Sequence, residues 1–343
     1  MGLSQNQHHS CFFVDGISDF VLGYQLVSYL GAFRIMMRIL VTGGAGFIGS
    51  HTVDLLLENG MEVTVFDNLV SGSLAYLDLA HPRLTFVKGD ILNYPALHVE
   101  IQHCDAVLHL AALPSVQKSI DDPIFSLRVN TQGLVHVLQA IREAKHPIRL
   151  VYASSAAVYG GTAALPCCDE AELFSYQVLS PYALEKANNE RYADLFARSF
   201  GLSCLGLRYF NVYGPRQDPY SPYSGVISKF VQRYQEDKTI TVFGDGEQSR
   251  DFIFVKDVAR ANLLALQGNY NGILNIATGI PETLHNLVRY IEQNGQKAAQ
   301  IRFESARLGD IPQSYAKTAK AVSCLNFCYT TPLQAGIRLL LNY

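Results

Sequence analysis

The sequence predicts an α/β protein, a doubly wound parallel sheet carrying a smaller C-terminal lobe. Three observations predict it. Short apolar, β-branched runs alternate with amphipathic helices through about residue 210, the pattern of a parallel sheet covered on both faces. A glycine loop, Val41-Thr42-Gly43-Gly44-Ala45-Gly46-Phe47-Ile48-Gly49, joins the first such run to the first helix. After Gly214 the chain becomes richer in Pro, Tyr and Gly, around Pro215 to Gly225, which reads as the switch to a second lobe. The expected divisions are 1–36, 37–213 and 214–343 of 343 residues, more than one average domain.

Residues 1–36 do not fit the rest and read as an N-terminal extension outside the fold. They are fairly apolar, yet Asp15 and Asp19 interrupt them and no Lys or Arg precedes Arg34. A signal peptide would want an early positive region. No uninterrupted apolar run reaches the roughly 20 residues that span a bilayer. His8-His9 is too short to argue for a metal.

The first strand is Arg38-Ile39-Leu40-Val41. Gly43 and Gly46 let the backbone turn tightly and approach a phosphate, and Gly49 lets the next helix pack on the strand. That helix is expected from Phe47 to Glu58, with Val53, Leu56 and Leu57 on one face and Gly60 as its stop. Its N-terminus, with Phe47 and Ile48, offers free N–H groups and a positive dipole end to a pyrophosphate. A second strand, Glu62 to Phe66, ends in Asp67-Asn68. An acid roughly 20 positions past the loop is placed for a ribose 2′-hydroxyl. Asp67 would repel a 2′-phosphate, so NAD is expected over NADP. The glycine spacing, Gly-x-x-Gly-x-x-Gly, differs from that of ordinary Rossmann dehydrogenases. Glycine triplets often mark only turns; strand, loop, helix, strand and acid in this order carry the nucleotide reading.

Further along, Asp121-Asp122-Pro123 opens a helix expected to run to about Lys145. The apolar strand Ile148 to Ala153 ends in Ser154-Ser155, and ligands bind at the carboxyl ends of strands in such sheets. Ser180-Pro181 opens another helix, to about Ser199, with Ser as cap and Pro in its first turn. Tyr182 and Lys186 then lie at i and i+4 on one face. A free tyrosine titrates near ~10. An adjacent ammonium and a positive nicotinamide are expected to lower that value and make Tyr182 a base. Tyr-x-x-x-Lys alone is usually a surface pair, and Ser-Ser at a strand end is usually a turn. Their occurrence with the glycine loop gives them a shared chemistry.

Gly43 to Gly49, Ser154-Ser155-Ala156-Ala157-Val158-Tyr159-Gly160, Tyr182 to Lys186, and Arg208-Tyr209-Phe210-Asn211-Val212-Tyr213-Gly214-Pro215 together resemble the extended short-chain dehydrogenase/reductases. The chain looks most like the nucleotide-sugar 4-epimerases, from about Met37 to its C-terminus. The resemblance implies an NAD-binding Rossmann domain over 37–213 and a nucleotide-sugar-binding lobe over 214–343. It implies that Ser155 bonds the sugar 4-hydroxyl, that Tyr182 is the base, and that Lys186 holds the nicotinamide ribose. It places Asp90-Ile91 beside the adenine, Leu110-Ala111-Ala112 along the pyrophosphate, and Asn130, Ser154 and Tyr209 near the cofactor. On the substrate side it implies Ser115, Asn211 at the sugar diphosphate, and Val242-Phe243 around the uracil. Arg250 and Arg307 would clamp the diphosphate, and Asp310 would hold the uridine ribose. Arginine suits this task because its planar fork pairs with phosphate oxygens two at a time. Taken singly, each arginine is more often a surface charge.

The same resemblance separates close relatives. 4,6-Dehydratases usually carry Asp-Glu where this chain has Ala156 and Ala157, so dehydration is disfavoured. Uronate decarboxylases often carry Glu where Ala157 stands. Epimerases restricted to plain hexoses often have a Tyr at the position of Ser314; a small residue there leaves room for a 2-N-acetyl group. The expected reaction is NAD-dependent 4-epimerisation of a UDP-hexose or UDP-N-acetylhexosamine through a transient 4-keto sugar. The alternatives are a uronate 4-epimerase, a one-way reductase and a non-catalytic NAD sensor; sensors of this fold typically lack the Tyr-Lys pair.

Net charge is −3 with no long basic block, so nucleic acid has no support. The seven cysteines show no C-x-x-C or zinc spacing, and no metal is expected. Cys324 and Cys328 are read as one face of a buried element. Reduced thiols fit a cytoplasmic enzyme. Relatives pair the helices after Asp122 and after Pro181 in a four-helix bundle, implying a homodimer; the plainer reading is that these helices only cover the sheet.

Overall fold

The computed structural model describes residues 36–161, 164–170, 178–220, 225–306 and 311–343. Of the expected N-terminal extension, all but Met36 lies outside these residues, as do Arg307 and Asp310.

Residues 37–343 form one unit. The chain begins with β1 (Arg38–Thr42), α1 (Phe47–Glu58), β2 (Glu62–Asp67), β3 (Leu84–Lys88), α2 (Tyr94–Ile101) and β4 (Ala106–His109). Helix α1 has the expected bounds, and the chain leaves it through Gly60 at φ +83°. There follow α3 (Val116–Asp121), α4 (Pro123–Leu127), a π-helical turn (Arg128–Gln132), α5 (Gly133–Arg142), β5 (Arg149–Ser155) and α6 (Pro181–Phe200). The later elements are β6 (Ser203–Tyr209), β7 (Asn211–Tyr213), α7 (Val226–Gln235), β8 (Ile240–Phe243), β9 (Ser249–Phe254), α8 (Val255–Gln267) and β10 (Gly272–Ile276). The chain closes with β11 (Pro281–Thr283), α9 (Leu284–Gly295), β12 (Ile301–Glu304), β13 (Gln313–Ser314), α10 (Ala319–Leu325) and α11 (Leu333–Leu341).

The central sheet is parallel, in the order β10-β6-β5-β4-β1-β2-β3. Its strands are buried on both sides, so they read as continuous apolar runs. In β1 the faces alternate. Ile39 and Val41 join the cluster under α1 and α8, while Leu40 joins the one under α2, α5 and α6. Strand order reverses between β1 and β4, and there the carboxyl ends diverge into a crevice. The seventh strand, β10, comes from far down the chain, after β7, β8 and β9 have been made.

Those three strands open the C-terminal lobe. β9 lies between β11 and β13 and also pairs with β7; β8 pairs with β12. α7, α9 and α11 cover this lobe around Phe230, Tyr234, Leu287 and Ile337.

One expectation is refined and one is corrected. The helix expected from Asp122 to about Lys145 runs from Pro123 to Arg142, and α4 passes through the π-turn into α5 without leaving right-handed helical dihedrals. Asp122 does cap α4, accepting from Phe125 N at 3.0 Å. A Cβ on Gly133 would stand 2.4 Å from Ile91 Cδ1, and the widened turn places Asn130 inward. Cys324 and Cys328 do not share an element. Asn326 takes φ +53° and ends α10, leaving Cys324 half-buried and Cys328 exposed.

Candidate active site

The glycine loop leaves β1 and enters α1 without room for side chains. Gly43 takes φ +72°, and a Cβ there would stand 2.6 Å from Ala111 N. A Cβ on Gly49 would stand 2.2 Å from the Gly43 carbonyl oxygen. Gly46 caps α1 without a side chain, so the amides that follow, around half-buried Phe47 and Ile48, face outward with no side-chain acceptor. Leu110 N bonds Thr42 O at 3.0 Å and Ala111 N bonds Thr42 Oγ1 at 3.3 Å. The backbone through Leu110, Ala111 and Ala112 is thereby held against the loop.

At the end of β2, buried Asp67 accepts from Ala45 N at 3.0 Å and from Leu69 N at 2.8 Å. Each of its oxygens keeps a lone pair for a hydroxyl. Asn68 Nδ2 donates to Asp90 Oδ2 at 3.0 Å, and Ile91 is buried beside them. Asp67, Asn68, Asp90 and Ile91 therefore come together at one end of the crevice. The residues present fit a dinucleotide: open amides for the pyrophosphate, glycines with no room for a side chain, and a buried carboxylate at the end of the next strand for a ribose.

A residue that sequence reasoning missed lies under the loop. His109 is buried at the end of β4, with Nδ1 2.8 Å from Thr42 Oγ1. Burial pushes its pKa down to about 3, helped by the charge of Lys186. It stays neutral. Its position after three buried apolar residues of β4 was the available signal.

The catalytic group forms where β5 meets α6. Ser180 caps the helix, accepting from Ala183 N at 3.2 Å, and buried Ser119 accepts from Tyr182 N at 3.1 Å. The Ser155 side chain is close enough to the Tyr182 phenol to favour its ionised form. Lys186 Nζ donates to Ala153 O at 2.9 Å and lies 5.8 Å from the Tyr182 ring centre. Burial pushes the Tyr182 phenol above its ordinary value; the Ser155 bond opposes this and Glu185 adds to it. Burial lowers Lys186 to about 8, against Glu185 and Glu190. The desolvation of Tyr182 outweighs what the chain's own groups supply.

Three residues expected at the cofactor are committed elsewhere. Ser154 Oγ donates to Glu190 Oε1 at 2.5 Å, below the sheet end. Asn130 accepts from Leu113 N at 2.7 Å and donates to Glu185 Oε2 at 2.6 Å, so it holds the loop after β4 to α6. Tyr209 is in the core and its hydroxyl donates to Asn262 Oδ1 at 2.6 Å. In each case strand alternation or the π-turn aims the side chain inward.

The second half of the site lies on β7, β8, β9 and β13. Asn211 Nδ2 donates to Asp251 O at 3.0 Å. Ser314 stands beside Arg250 in the β13–β9 register. Phe243 and Arg250 line a cleft of about 740 Å³ with Thr241, Gln248 and Arg302. Val242 turns its side chain into the lobe core instead. Ser115 is buried and caps α3 through Lys118 N at 3.1 Å. Beside Arg250, buried Asp251 accepts from Thr278 N and Oγ1, Gly279 N and Ala316 N at 2.7 to 3.3 Å. Ala156 and Ala157 occupy the turn after Ser155, so that turn presents no acid. Among the described residues no group of three His, Cys, Asp or Glu is placed for a metal.

Comparison with known proteins agrees with this geometry. Residues 39–277 match the model of the NAD dependent epimerase/dehydratase family. A putative UDP-glucose 4-epimerase of Methanocaldococcus jannaschii is 37% identical over 308 residues, covering 89% of this chain and 97% of its own. The UDP-N-acetylglucosamine 4-epimerase of Methanobrevibacter ruminantium, solved with UDP-N-acetylmuramic acid, superposes with a TM-score of 0.84 at 36% identity, over 90% of this chain and 97% of that one. The UDP-glucose 4-epimerase of Thermus thermophilus, solved with NAD, gives 0.79 at 34% identity, over 89% and 98%.

Proposed function

The chain belongs to the NAD-dependent epimerase/dehydratase family, and on that premise we propose that it interconverts the C4 epimers of a UDP-hexose or UDP-N-acetylhexosamine with NAD bound in the crevice. The observation that carries this reading is the group of Ser155, Tyr182 and Lys186 at the carboxyl end of β5, beside the glycine cradle. When bound, NAD supplies the acceptor and then the donor of hydride at the sugar C4. The protein's part is proton transfer, orientation and retention.

Tyr182 takes the proton of the 4-hydroxyl and returns it, with Ser155 sharing the hydrogen bond. Lys186 stands a helical turn away as the positive neighbour that favours the phenolate. Asp67 favours a ribose with a free 2′-hydroxyl. The alanines at 156 and 157 leave no second acid for loss of water. Arg250 and Asn211 support the diphosphate, Phe243 the uracil. Ser314, half-buried beside Arg250, leaves space for an N-acetyl group, so UDP-GlcNAc is the proposed preferred substrate. Arg307 and Asp310 remain proposed contacts from their sequence context alone.

The test is purified protein incubated with UDP-GlcNAc or UDP-Glc without added NAD, with products resolved by chromatography. The expected result is UDP-GalNAc and UDP-Gal, the former faster. No conversion of either, even with NAD added, overturns the reading.

The proposed assembly is a homodimer. Val116, Ile120, Ile124, Leu184 and Leu195 are all 46 to 74% exposed on α3, α4 and α6, a larger apolar surface than scattered residues make. Sedimentation of wild type against Ile124→Glu checks it; a wild-type monomer sinks it. Among the described residues no helix is long and apolar enough to cross a membrane. A cytoplasmic supply of sugar nucleotide to polysaccharide biosynthesis is the proposed setting.

A further inference from the structure

Helix α6 carries a buried carboxylate for which the proposed chemistry has no role. Glu190 follows Lys186 by four residues and Tyr182 by eight, so the three share a helical face. Its Oε1 accepts from Ser154 Oγ at 2.5 Å and from Arg208 Nε at 2.8 Å, and its Oε2 accepts from Arg208 Nη2 at 2.7 Å. Arg208 is equally buried and stands opposite Ser154 in the β5–β6 register. Its Nη1 donates to the Tyr159 hydroxyl at 2.7 Å, which donates to Asn275 Oδ1 of β10 at 2.7 Å. One carboxylate thus ties the catalytic helix to the strand end that carries Ser155, to β6, and through the next turn to β10.

A buried ion pair is weak evidence for stability, since apolar residues of similar volume often hold a core as well or better. The placement of this one is the stronger clue. It accepts from the side chain of the residue before Ser155 and lies one helical turn from Lys186. We propose that Glu190 is a positioning residue for the reaction: through Ser154 it fixes where Ser155 stands against Tyr182, and it presents a negative charge to Lys186.

The groups around Lys186 make that charge matter. On its own helix it is faced by Tyr182, Glu185 and Glu190. From β4 comes His109, held neutral, and from β5 the carbonyl of Ala153. From β6 comes Arg208, already paired with Glu190. Burial lowers Lys186 to about 8, and Glu185 and Glu190 are the opposing influences. Loss of the Glu190 charge therefore lets Lys186 deprotonate at lower pH.

This inference rests on the 4-epimerase reading, so its test includes a measurement that needs no turnover. Wild type, Ser154→Ala, Glu190→Gln and Glu190→Asp are compared as full-length, NAD-loaded proteins. Ser154→Ala is expected to lower kcat about 10- to 100-fold, the scale of a small misplacement of reacting groups, with KM little changed. Glu190→Gln is expected to lower kcat and move the alkaline limb of its pH profile to lower pH. Glu190→Asp, which keeps the charge at shorter reach, is expected to keep that limb while losing kcat. The titration of Lys186, followed by NMR of 15N-lysine-labelled protein with Lys186→Arg for assignment, is expected to fall in Glu190→Gln. A folded Glu190→Gln with unchanged kcat and unchanged Lys186 titration overturns the proposal. If Glu190→Gln does not fold, wild-type kcat in Ser154→Ala overturns it. If wild type epimerises no sugar nucleotide, the function reading fails, and an unshifted Lys186 titration separately overturns the role of Glu190.

Discussion

The two ends of the crevice are built from different materials. The cofactor end is made of backbone: open amides at the start of α1, glycines pressed on each other and on Ala111, and one buried carboxylate. The sugar-nucleotide end is made of side chains, Asn211, Phe243 and Arg250, raised from short strands of the C-terminal lobe. A backbone site tolerates almost no added atom, because its neighbours are main chain and cannot move aside. A side-chain site can change its ligand preference one residue at a time. The difference teaches where function is fixed and where it is tunable.

The sharpest comparison uses the base that sits between the two ends. Tyr182→Phe should lower kcat by about 10²- to 10⁴-fold, the usual weight of one acid–base group, with both ends still binding. A folded variant with near-normal turnover would remove Tyr182 from the chemistry. Gly49→Ala tests the cofactor end. Its Cβ would meet the Gly43 carbonyl at 2.2 Å, so the protein should purify without NAD, read by the absorbance of acid-released nucleotide. Full NAD content there would show that the cofactor end tolerates an added atom.

Arg250→Ala tests the other end. It should raise KM by about 10- to 100-fold, equivalent to a lost charge-assisted bond of roughly 1.5–3 kcal/mol, while NAD content stays full. Ser314→Tyr should act more selectively, lowering kcat/KM for UDP-GlcNAc about tenfold relative to UDP-Glc, the scale of a steric change in a pocket. Equal losses for both sugars would show that residue 314 does not meet the C2 substituent.

The last expected effect is on stability and pH, and it falls on the cofactor end alone. His109 has a folded pKa of about 3, below its unfolded value near ~6.5. Between these values the unfolded chain binds the extra proton, so stability rises with pH across the window. It is fully present above about 6.5 and is lost on acidification, by at most about 1.4 kcal/mol per pH unit. Thermal unfolding between these limits should therefore be less acid-sensitive in His109→Gln than in wild type. Identical slopes would place the acid sensitivity elsewhere.

Sequence reading reached the two ends unequally, for the same reason that they differ. Loop, helix and terminal acid are local in the chain, so Gly43 to Gly49 and Asp67 could be read directly. Tyr182 and Lys186 share a face by helical periodicity, and that too is local. Val242 and Phe243 are adjacent in sequence but point to opposite sides, and strand register decides which one lines the cleft. Ser154 borders Ser155 in sequence, but strand alternation turns its side chain to Glu190. The π-turn at Asn130 carries no sequence signal, since no Pro or capping residue marks one in mid-helix. Asp251 was legible only as a neighbour of Arg250, since its partners lie 27 to 65 residues away.

The late arrival of β10 has a consequence for how the molecule is made. A ribosome delivers β6 and then some sixty residues, the strands of the other lobe and α8 among them, before the strand that will flank β6. Until then β6 is an open edge, with an unpaired row of N–H and C=O groups of the kind that invites pairing with another chain. The Tyr159 hydroxyl also waits, since Asn275 is part of β10. The nascent chain must hold this edge apart while β7, β8 and β9 emerge. Birth order and spatial order thus disagree at one place in the sheet, the strand that bears Arg208.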